Sequence, residues 1–224
     1  MVYRIPAVNL VGRGCLAQLK DEIGTLGCKK ALVVSDKFLT ENGVVEKVTK
    51  VLDQVGIEHT LYNDVKQNPS VANVEGGLEV LKKENCDFIV SIGGGSPQDC
   101  GKAISVLATN GGKITDYEGV NKSQKKCLPI VAIATTAGTS AEVTINYVIT
   151  DEETHIKMIM VDRNTLASIT VNDPELMLSK PAGLTAATGM DALTHAMEAV
   201  VANGAIDVTD ATALYAIKQI FEYL

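Results

Sequence analysis

The chain has 224 residues, of which 46% are hydrophobic and 21% charged, and its formal net charge is -7. This balance is typical of a soluble globular protein, and the negative charge excludes a global basic field that would attract nucleic acid or an anionic membrane. The opening residues lack the pattern of a signal peptide and no apolar run could span a bilayer, so we expect a cytoplasmic protein with no membrane partner.

The first part of the chain alternates short apolar runs with helical patterns. In chain order we predict strand 29–36, helix 43–56, strand 58–63, helix 70–85, strand 86–92, helix 97–109 and strand 127–134. This β-α order, with strands that are apolar on both faces, predicts a parallel sheet covered by helices.

The pattern changes after residue 135. We predict a hairpin over 143–150 and 155–162, a short strand over 167–173, and from Pro181 onward only helix, interrupted at 201–207. The predicted domains are an α/β domain over 1–178 and the start of an all-helical domain over 179–224. The last apolar residues, Ile217, Ile220, Phe221 and Leu224, follow helical spacing. We expect that face to be completed by further chain or by self-association.

The sequence "SIGGGSPQD" (91–99) is the first candidate ligand site. Three glycines after a predicted strand allow backbone to approach a ligand, and free N–H groups at a helix start favour a pyrophosphate. Ser96 and Asp99 have the spacing of a capping box, and Pro97 fits a first helical position. The alternative is a tight turn without a ligand, because the run is not G-x-G-x-x-G.

The sequence "ATTAGTSAE" (134–142) repeats this arrangement at the end of another strand. Thr135, Thr136 and Thr139 offer hydroxyl groups there, and Gly138 offers backbone access. Because ligands bind at the carboxyl ends of strands in an open α/β sheet, one nucleotide could contact both loops. A threonine-rich turn that bonds only to itself would give the same sequence.

Two carboxylates and one histidine complete the candidate site residues. Asp36 ends a predicted strand, where it could accept both ribose hydroxyls of NAD and repel the 2′-phosphate of NADP, or simply cap a helix. Asp191 and His195 are four residues apart in "GMDALTHAMEAV" and would lie on one helix face. They could hold a metal or form an ordinary polar pair.

The five scattered cysteines form no C-x-x-C and indicate reduced thiols.

Four ordered motifs resemble the iron-dependent (group III) alcohol dehydrogenases. They are "GGGSPQDCGKAI" (93–104), "TTAGTSAEVT" (135–144), "KMIMVD" (157–162) and "AATGMDALTHAMEA" (186–199). Within the family the sequence is similar to lactaldehyde reductases, 1,3-propanediol dehydrogenases and methanol dehydrogenases. The resemblance implies a Rossmann-like α/β domain for NAD followed by an all-helical metal domain, and homodimers or larger assemblies.

The resemblance also implies roles for individual residues. Gly94, Gly95 and Ser96 would hold the pyrophosphate. Asp36 would contact the adenosine ribose, and Asn68 would line the same cleft. Thr135, Thr136 and Thr139 would contact the nucleotide, with Asn146 and Lys157 nearer the ribose and nicotinamide. Asp191 and His195 match two ligands of a divalent metal, for which Fe²⁺ is favoured and Zn²⁺ is the alternative.

Three functional hypotheses follow. The first is a metal-dependent, NAD(H)-linked alcohol dehydrogenase or aldehyde reductase for small alcohols or diols. The second is a non-catalytic NAD-binding fragment, because family members are longer and the further histidine ligands are expected beyond residue 224. His59 and His155 match no ligand position, so we predict ordinary surface histidines. A dehydroquinate-synthase-like lyase or glycerol-phosphate dehydrogenase ranks last, because no basic cluster for a phosphorylated substrate occurs near 135–200.

Overall fold

The central element is a six-stranded sheet in a computed structural model that describes residues 3–224. From one edge to the other, its strands are β1 (Val8–Val11), β9 (Ile169–Asn172), β6 (Ile130–Ala134), β4 (Phe88–Gly93), β2 (Lys30–Val34) and β3 (Glu58–Tyr62). Every neighbouring pair is parallel, as predicted. The carboxyl ends of these strands therefore meet at one edge, where α/β proteins bind ligands.

A second, smaller sheet lies beside the first. Its strand order is β5 (Gly119–Val120), β8 (Ile156–Val161) and β7 (Asn146–Asp151). Strands β7 and β8 pair antiparallel over six residues each, which confirms the predicted hairpin. The short β5 pairs parallel with β8.

Helices cover the sheets and form the end of the described chain. They are α1 (Leu19–Glu22), α2 (Lys37–Glu41), α3 (Val44–Gln54), α4 (Val71–Glu84), α5 (Gly95–Asn110), α6 (Ala182–Val201) and α7 (Asp207–Tyr223). Short 3-10 segments occur at Cys15–Gln18, Ile23–Leu26, Ile114–Tyr117, Ala141–Val143, Arg163–Thr165 and Pro174–Leu176. In residues 3–224 no helix is long and apolar enough to cross a membrane.

Two hydrophobic clusters lie on opposite faces of the parallel sheet, because successive strand residues point to opposite sides. In β2, Val33 belongs to the cluster beneath α1 and α3, whereas Leu32 belongs to the cluster beneath α4 and α5. Both side chains are fully buried. The inner face of the β7–β8 hairpin, including Tyr147 and Met160, joins the second cluster. The apolar runs of the sequence are therefore two-sided core strands.

Local capping explains where the best-defined helix begins and ends. The Ser70 hydroxyl accepts from the Asn73 amide, and the Asn73 side chain accepts from the Ser70 amide, so α4 has a reciprocal capping box. The helix ends at Glu84, and its C-cap residue Asn85 has a left-handed φ of 54°, a conformation that asparagine tolerates better than most residues.

Helices α6 and α7 pack against each other after the last sheet strand. Leu193 and Ala196 of α6 and Ala213 of α7 are buried, whereas Phe221 and Leu224 at the end of α7 are 76% and 53% exposed. The predicted break at 201–207 is confirmed, because α6 ends at Val201 and α7 begins at Asp207. The division into domains at 178/179 stays a prediction.

Candidate active site

The glycine run joins β4 to α5 and forms the floor of the candidate site. Helix α5 begins at Gly95 with Gly94 as its N-cap, and no side chain caps it. The predicted capping box of Ser96 and Asp99, with Pro97 at the first helical position, is therefore wrong. The physical reason is that three consecutive glycines let the helix start earlier, so Ser96 is already inside it. The uncapped N–H groups of a 16-residue helix remain available for an anion.

The threonine loop after β6 contacts this helix start directly. A Cβ atom on Gly94 would lie 3.0 Å from the Thr136 Oγ1, and one on Gly95 would lie 3.4 Å from the Thr139 Oγ1. The glycines therefore allow a backbone approach that larger residues would obstruct. The Thr135 amide bonds to the Gly93 carbonyl at 3.1 Å, which joins the ends of β4 and β6.

One cleft of about 450 Å³ lies above these strand ends. It is lined by Asp36, Phe38, Leu39, Val65, Lys66, Gln67, Gly94, Gly95, Ser96, Pro97, Thr135, Thr136, Thr139, Leu176, Ser179, Lys180, Pro181, Leu184 and Thr188. Seven of the ten sequence-predicted cofactor residues thus share this cavity. The remaining three are Asn68, Asn146 and Lys157.

Asp36 caps a helix and also lies in the cleft, and its contact with a ribose stays a prediction. It is the N-cap of α2, and its Oδ1 accepts from the Leu39 amide at 2.8 Å. It also lines the cleft, with its side chain only partly buried. One carboxylate oxygen is therefore held by the helix, and the other oxygen has no hydrogen bond within the described residues.

Asn68 and Lys157 meet at the side of the glycine loop. The Lys157 Nζ donates to the Asn68 Oδ1 at 2.9 Å, and the Asn68 amide donates to the Ser96 Oγ at 3.3 Å. Asn68 adopts a left-handed φ of 56°. Asn146 does not join them, because it lies at the start of β7 and lines a separate pocket with Arg4.

Lys102, which the sequence did not reveal as a site residue, holds the backbone next to the threonine loop. Its side chain is 1% exposed, and its Nζ donates to the carbonyls of Ala141 at 2.7 Å, Thr144 at 2.8 Å and Asn146 at 2.7 Å. It thereby fixes the backbone that follows the threonine loop. Burial lowers the pKa of Lys102 to about 8, although the carboxylates of Asp99 and Glu142 oppose this shift.

Two more polar side chains of α5, the buried Gln98 and the partly buried Asp99, connect it to both sheets. Burial raises the pKa of Asp99 to about 6, against the effects of Lys102 and of the Val148 amide, which donates to Asp99 at 3.0 Å. Gln98 donates from Nε2 to the Ile133 carbonyl at 3.0 Å, and its Oε1 accepts from the Ser91 hydroxyl. The apolar residues that surround Gln98, Asp99 and Lys102 in "PQDCGKAISVLA" were the signal that this part of α5 packs against the sheets.

The structure places Asp191 and His195 on one face of α6, partly exposed. The Asp191 Oδ1 lies 3.7 Å from the His195 Nε2, and the Glu198 Oε2 lies 4.0 Å from the His195 Nδ1. A carboxylate and an imidazole are suitable donors for Fe²⁺ or Zn²⁺. Within residues 3–224, however, no group of three or more His, Cys, Asp or Glu side chains is arranged to hold a metal. These residues therefore fit part of a metal site.

Asp191 also adjoins the threonine loop. A Cβ atom on Gly138 would lie 3.2 Å from the Asp191 Oδ2 and 3.0 Å from the Thr188 Cβ. The threonine loop and the helix that carries the candidate metal ligands are thus in direct contact. This places the cleft beside the Asp191–His195 pair.

The other histidines and the cysteines take no part in the cleft. The His59 Nδ1 lies 3.6 Å from the Asp53 Oδ1. His155 is exposed in the turn between β7 and β8. Neither lines the cavity. All five cysteines, which lie in the described part of the chain, are free thiols, and four of them are buried.

The sequence matches two family profiles. Residues 6–174 match the profile described as "Iron-containing alcohol dehydrogenase", and residues 185–224 match "Fe-containing alcohol dehydrogenase family, C-terminal". The two profiles together cover most of the chain. The first profile spans all the strands, and the second spans most of α6 and all of α7.

Individual relatives agree with these profiles. Alcohol dehydrogenase 4 of Schizosaccharomyces pombe is 52% identical over 99% of this chain and 53% of its own length. The NAD-dependent methanol dehydrogenase of Bacillus methanolicus is 48% identical over 99% of this chain and 58% of its own length. The crystal structure of a 1,3-propanediol oxidoreductase superposes with a TM-score of 0.96 at 46% identity, over 99% and 58% of the two chains. The chain thus spans little more than half the length of these relatives.

Proposed function

Because the chain belongs to the iron-containing alcohol dehydrogenase family, we propose that it acts in NAD(H)-linked, metal-dependent oxidation of small alcohols or diols, or reduction of the corresponding aldehydes. The observation that carries this proposal is the shared cleft. The uncapped start of α5, the threonine loop and Asp36 all line one cavity of about 450 Å³. Such a cavity suits a dinucleotide better than a small substrate alone.

The chain's own residues would bind the cofactor from its adenosine end to its pyrophosphate. The free Asp36 oxygen accepts from the ribose hydroxyls, and its charge disfavours a 2′-phosphate, which favours NAD over NADP. The amides of Gly95 and Ser96 at the start of α5 donate to the pyrophosphate, where the helix dipole favours negative charge. The Thr136 and Thr139 hydroxyls, which contact the glycines, bond to the same phosphates or the adjoining ribose.

Asn68 and Lys157 extend the site towards the nicotinamide. Their contact at 2.9 Å and the bond from Asn68 to Ser96 hold a cation beside the phosphate loop. Lys102 keeps the Ala141–Asn146 backbone in place, so Asn146 stays at the start of the hairpin. Bound NAD(H) supplies hydride-transfer chemistry at the nicotinamide ring, and the residues above determine where that ring lies.

Asp191 and His195 would hold the divalent metal, for which we favour Fe²⁺ over Zn²⁺ because of the family. When bound, the metal supplies Lewis-acid polarisation of the substrate oxygen. The side chains of Asp191 and His195 lie one turn apart on α6. Gly138 of the threonine loop packs against Asp191. Substrate oxygen and nicotinamide would thus be held near each other.

The test is a turnover assay on the full-length gene product supplied with Fe²⁺. Nicotinamide absorbance is followed with small alcohols and NAD, and with small aldehydes and NADH. We expect turnover, and His195→Ala should abolish it while leaving NADH affinity within about twofold, because His195 is outside the cavity lining. Flat absorbance across the whole panel would contradict the proposed function.

A second candidate is favoured by the two-ligand metal site. The described residues supply no third ligand, and stable metal sites have three or four. The 224-residue chain by itself would then bind NAD without turning over an alcohol. Calorimetry that detects NADH binding without turnover supports this candidate, and tight stoichiometric iron in the same chain contradicts it.

We also infer a cytoplasmic location and a homodimer or larger assembly. Five free thiols suit a reducing compartment. Large apolar side chains on α6 and α7 are more than half exposed, among them Met190, Met197, Tyr215 and Phe221. Burial of such a surface favours association. A monodisperse monomer in light scattering would contradict the assembly.

A further inference from the structure

Lys180 lines the cleft, but it has no role in the cofactor binding described above. It precedes α6 by two positions and lines the same cavity as Gly95 and Thr139. Its Nζ lies 3.2 Å from the Thr188 Oγ1, a neutral hydroxyl that also donates to the Leu184 carbonyl at 2.9 Å. Among the described residues no carboxylate forms a salt bridge with Lys180.

The environment leaves this ammonium group without a countercharge. Partial burial lowers the pKa of Lys180, and no neighbouring charge opposes that effect. Lys102, by contrast, is supported by Asp99 and Glu142. A partly dehydrated cation gains most from an anionic partner, because a charged hydrogen bond is stronger where water is scarce.

A short series of contacts links Lys180 to the phosphate loop. Thr188, which contacts Lys180, lies against Gly138, where a Cβ atom would be 3.0 Å from the Thr188 Cβ. The next residue, Thr139, contacts Gly95 at the start of α5. An anion held by the α5 amides is therefore within the reach of the flexible Lys180 side chain.

We propose that Lys180 pairs with the pyrophosphate of the bound dinucleotide. This inference rests on the proposed function, whose cofactor it binds. The α5 amides supply directional donors, and Lys180 supplies the point charge that they lack. Because Lys180 leads into α6, occupation of the phosphate site also fixes the helix that carries Asp191.

The experiment compares two ligands that differ by a diphosphate. Calorimetry measures the binding of ADP and of adenosine to wild type, Lys180→Met and Lys180→Arg in buffer without divalent metal. Lys180→Met should weaken ADP about tenfold, the typical effect of one charged hydrogen bond, and should leave adenosine unchanged. Lys180→Arg keeps the charge and should retain ADP affinity within about threefold. Lys125→Met, an exposed lysine outside the cavity, is the matched control and should change neither ligand.

Each outcome has a definite meaning. Equal ADP affinity in wild type and Lys180→Met overturns the inference and leaves the proposed function standing. An equal loss of ADP and adenosine also overturns it, because Lys180 would then act only on the shape of the cleft. If wild type binds neither ADP nor NADH, the proposed function fails and the inference fails with it.

Discussion

Gly138→Ala perturbs the contact between the threonine loop and α6. Gly138 is buried, and its backbone conformation is open to alanine because its φ is not positive. The added Cβ would lie 3.0 Å from the Thr188 Cβ, 3.1 Å from the Thr188 carbonyl oxygen and 3.2 Å from the Asp191 Oδ2. Three contacts of this length, one of them with backbone, cannot all be relieved by a side-chain rotation.

The size of the effect follows from this crowding. The loop and α6 must separate by a few tenths of an ångström, and overpacking of this kind costs about 1–3 kcal/mol. A loss of about 2 kcal/mol corresponds to a decrease in Tm of about 4–8 °C for a domain of this size. Since the loop also lines the cofactor cleft, NADH affinity should fall in the same variant.

The assay is thermal unfolding of three glycine variants, together with NADH titration. Gly183→Ala is the matched control in α6, because nothing lies within 4 Å of its added Cβ. It should gain up to about 1 kcal/mol from helix propensity. For Gly189→Ala, the three atoms nearest to the added Cβ all belong to the flexible Leu224 side chain, so the Tm should change little. A wild-type Tm and wild-type NADH affinity for Gly138→Ala would refute the proposed contact.

Two other predictions concern polar groups in α5 and at the start of α4. The pKa of the Asp99 carboxyl is raised from 3.8 to about 6 in the folded protein. The folded state therefore binds the carboxyl proton more tightly than the unfolded chain does. The contribution of Asp99 to stability thus falls as the pH rises from about 4 to about 6. Relative to Asp99→Asn, wild type should therefore gain up to about 3 kcal/mol in urea unfolding on acidification through that range, and a constant difference would contradict the shift. Ser70→Ala should cost about 1 kcal/mol by removing the α4 N-cap. Thr49→Ala, at a partly exposed helical position in α3, should be near neutral in the same denaturant assay, and equal losses would refute the capping argument.

The sequence predicted the central sheet well but missed its edge. Strands β2, β4 and β6 are buried on both faces, so each is a continuous apolar run that stands out in the sequence. Strand β1 has only four residues and one buried side chain, Leu10. Its pairing with β9 joins positions about 160 residues apart, which no local pattern reveals.

The candidate site was predictable to the level of its loops. Glycines and threonines after apolar strands identified both sides of the cleft, because such residues are needed where backbone approaches a ligand. The interactions that fix those loops were missed. Lys102 bonds to carbonyls 39–44 residues further along the chain, and Lys180 reaches the cleft only because α6 packs beside Gly138. Both depend on tertiary contacts that local sequence does not encode.

A fluorescence titration of the protein with NADH tests whether the cleft at the start of α5 binds NAD(H). ADP serves as competitor, and two matched variants are titrated alongside wild type. Gly95→Glu would place a carboxylate in the phosphate loop beside Thr139, whereas Gly24→Glu adds the same charge where nothing lies within 4 Å. We predict saturable binding at one site per chain that ADP displaces, that Gly95→Glu abolishes and that Gly24→Glu preserves. Absence of saturable NADH binding, or binding unchanged by Gly95→Glu, would show that this cleft does not bind NAD(H).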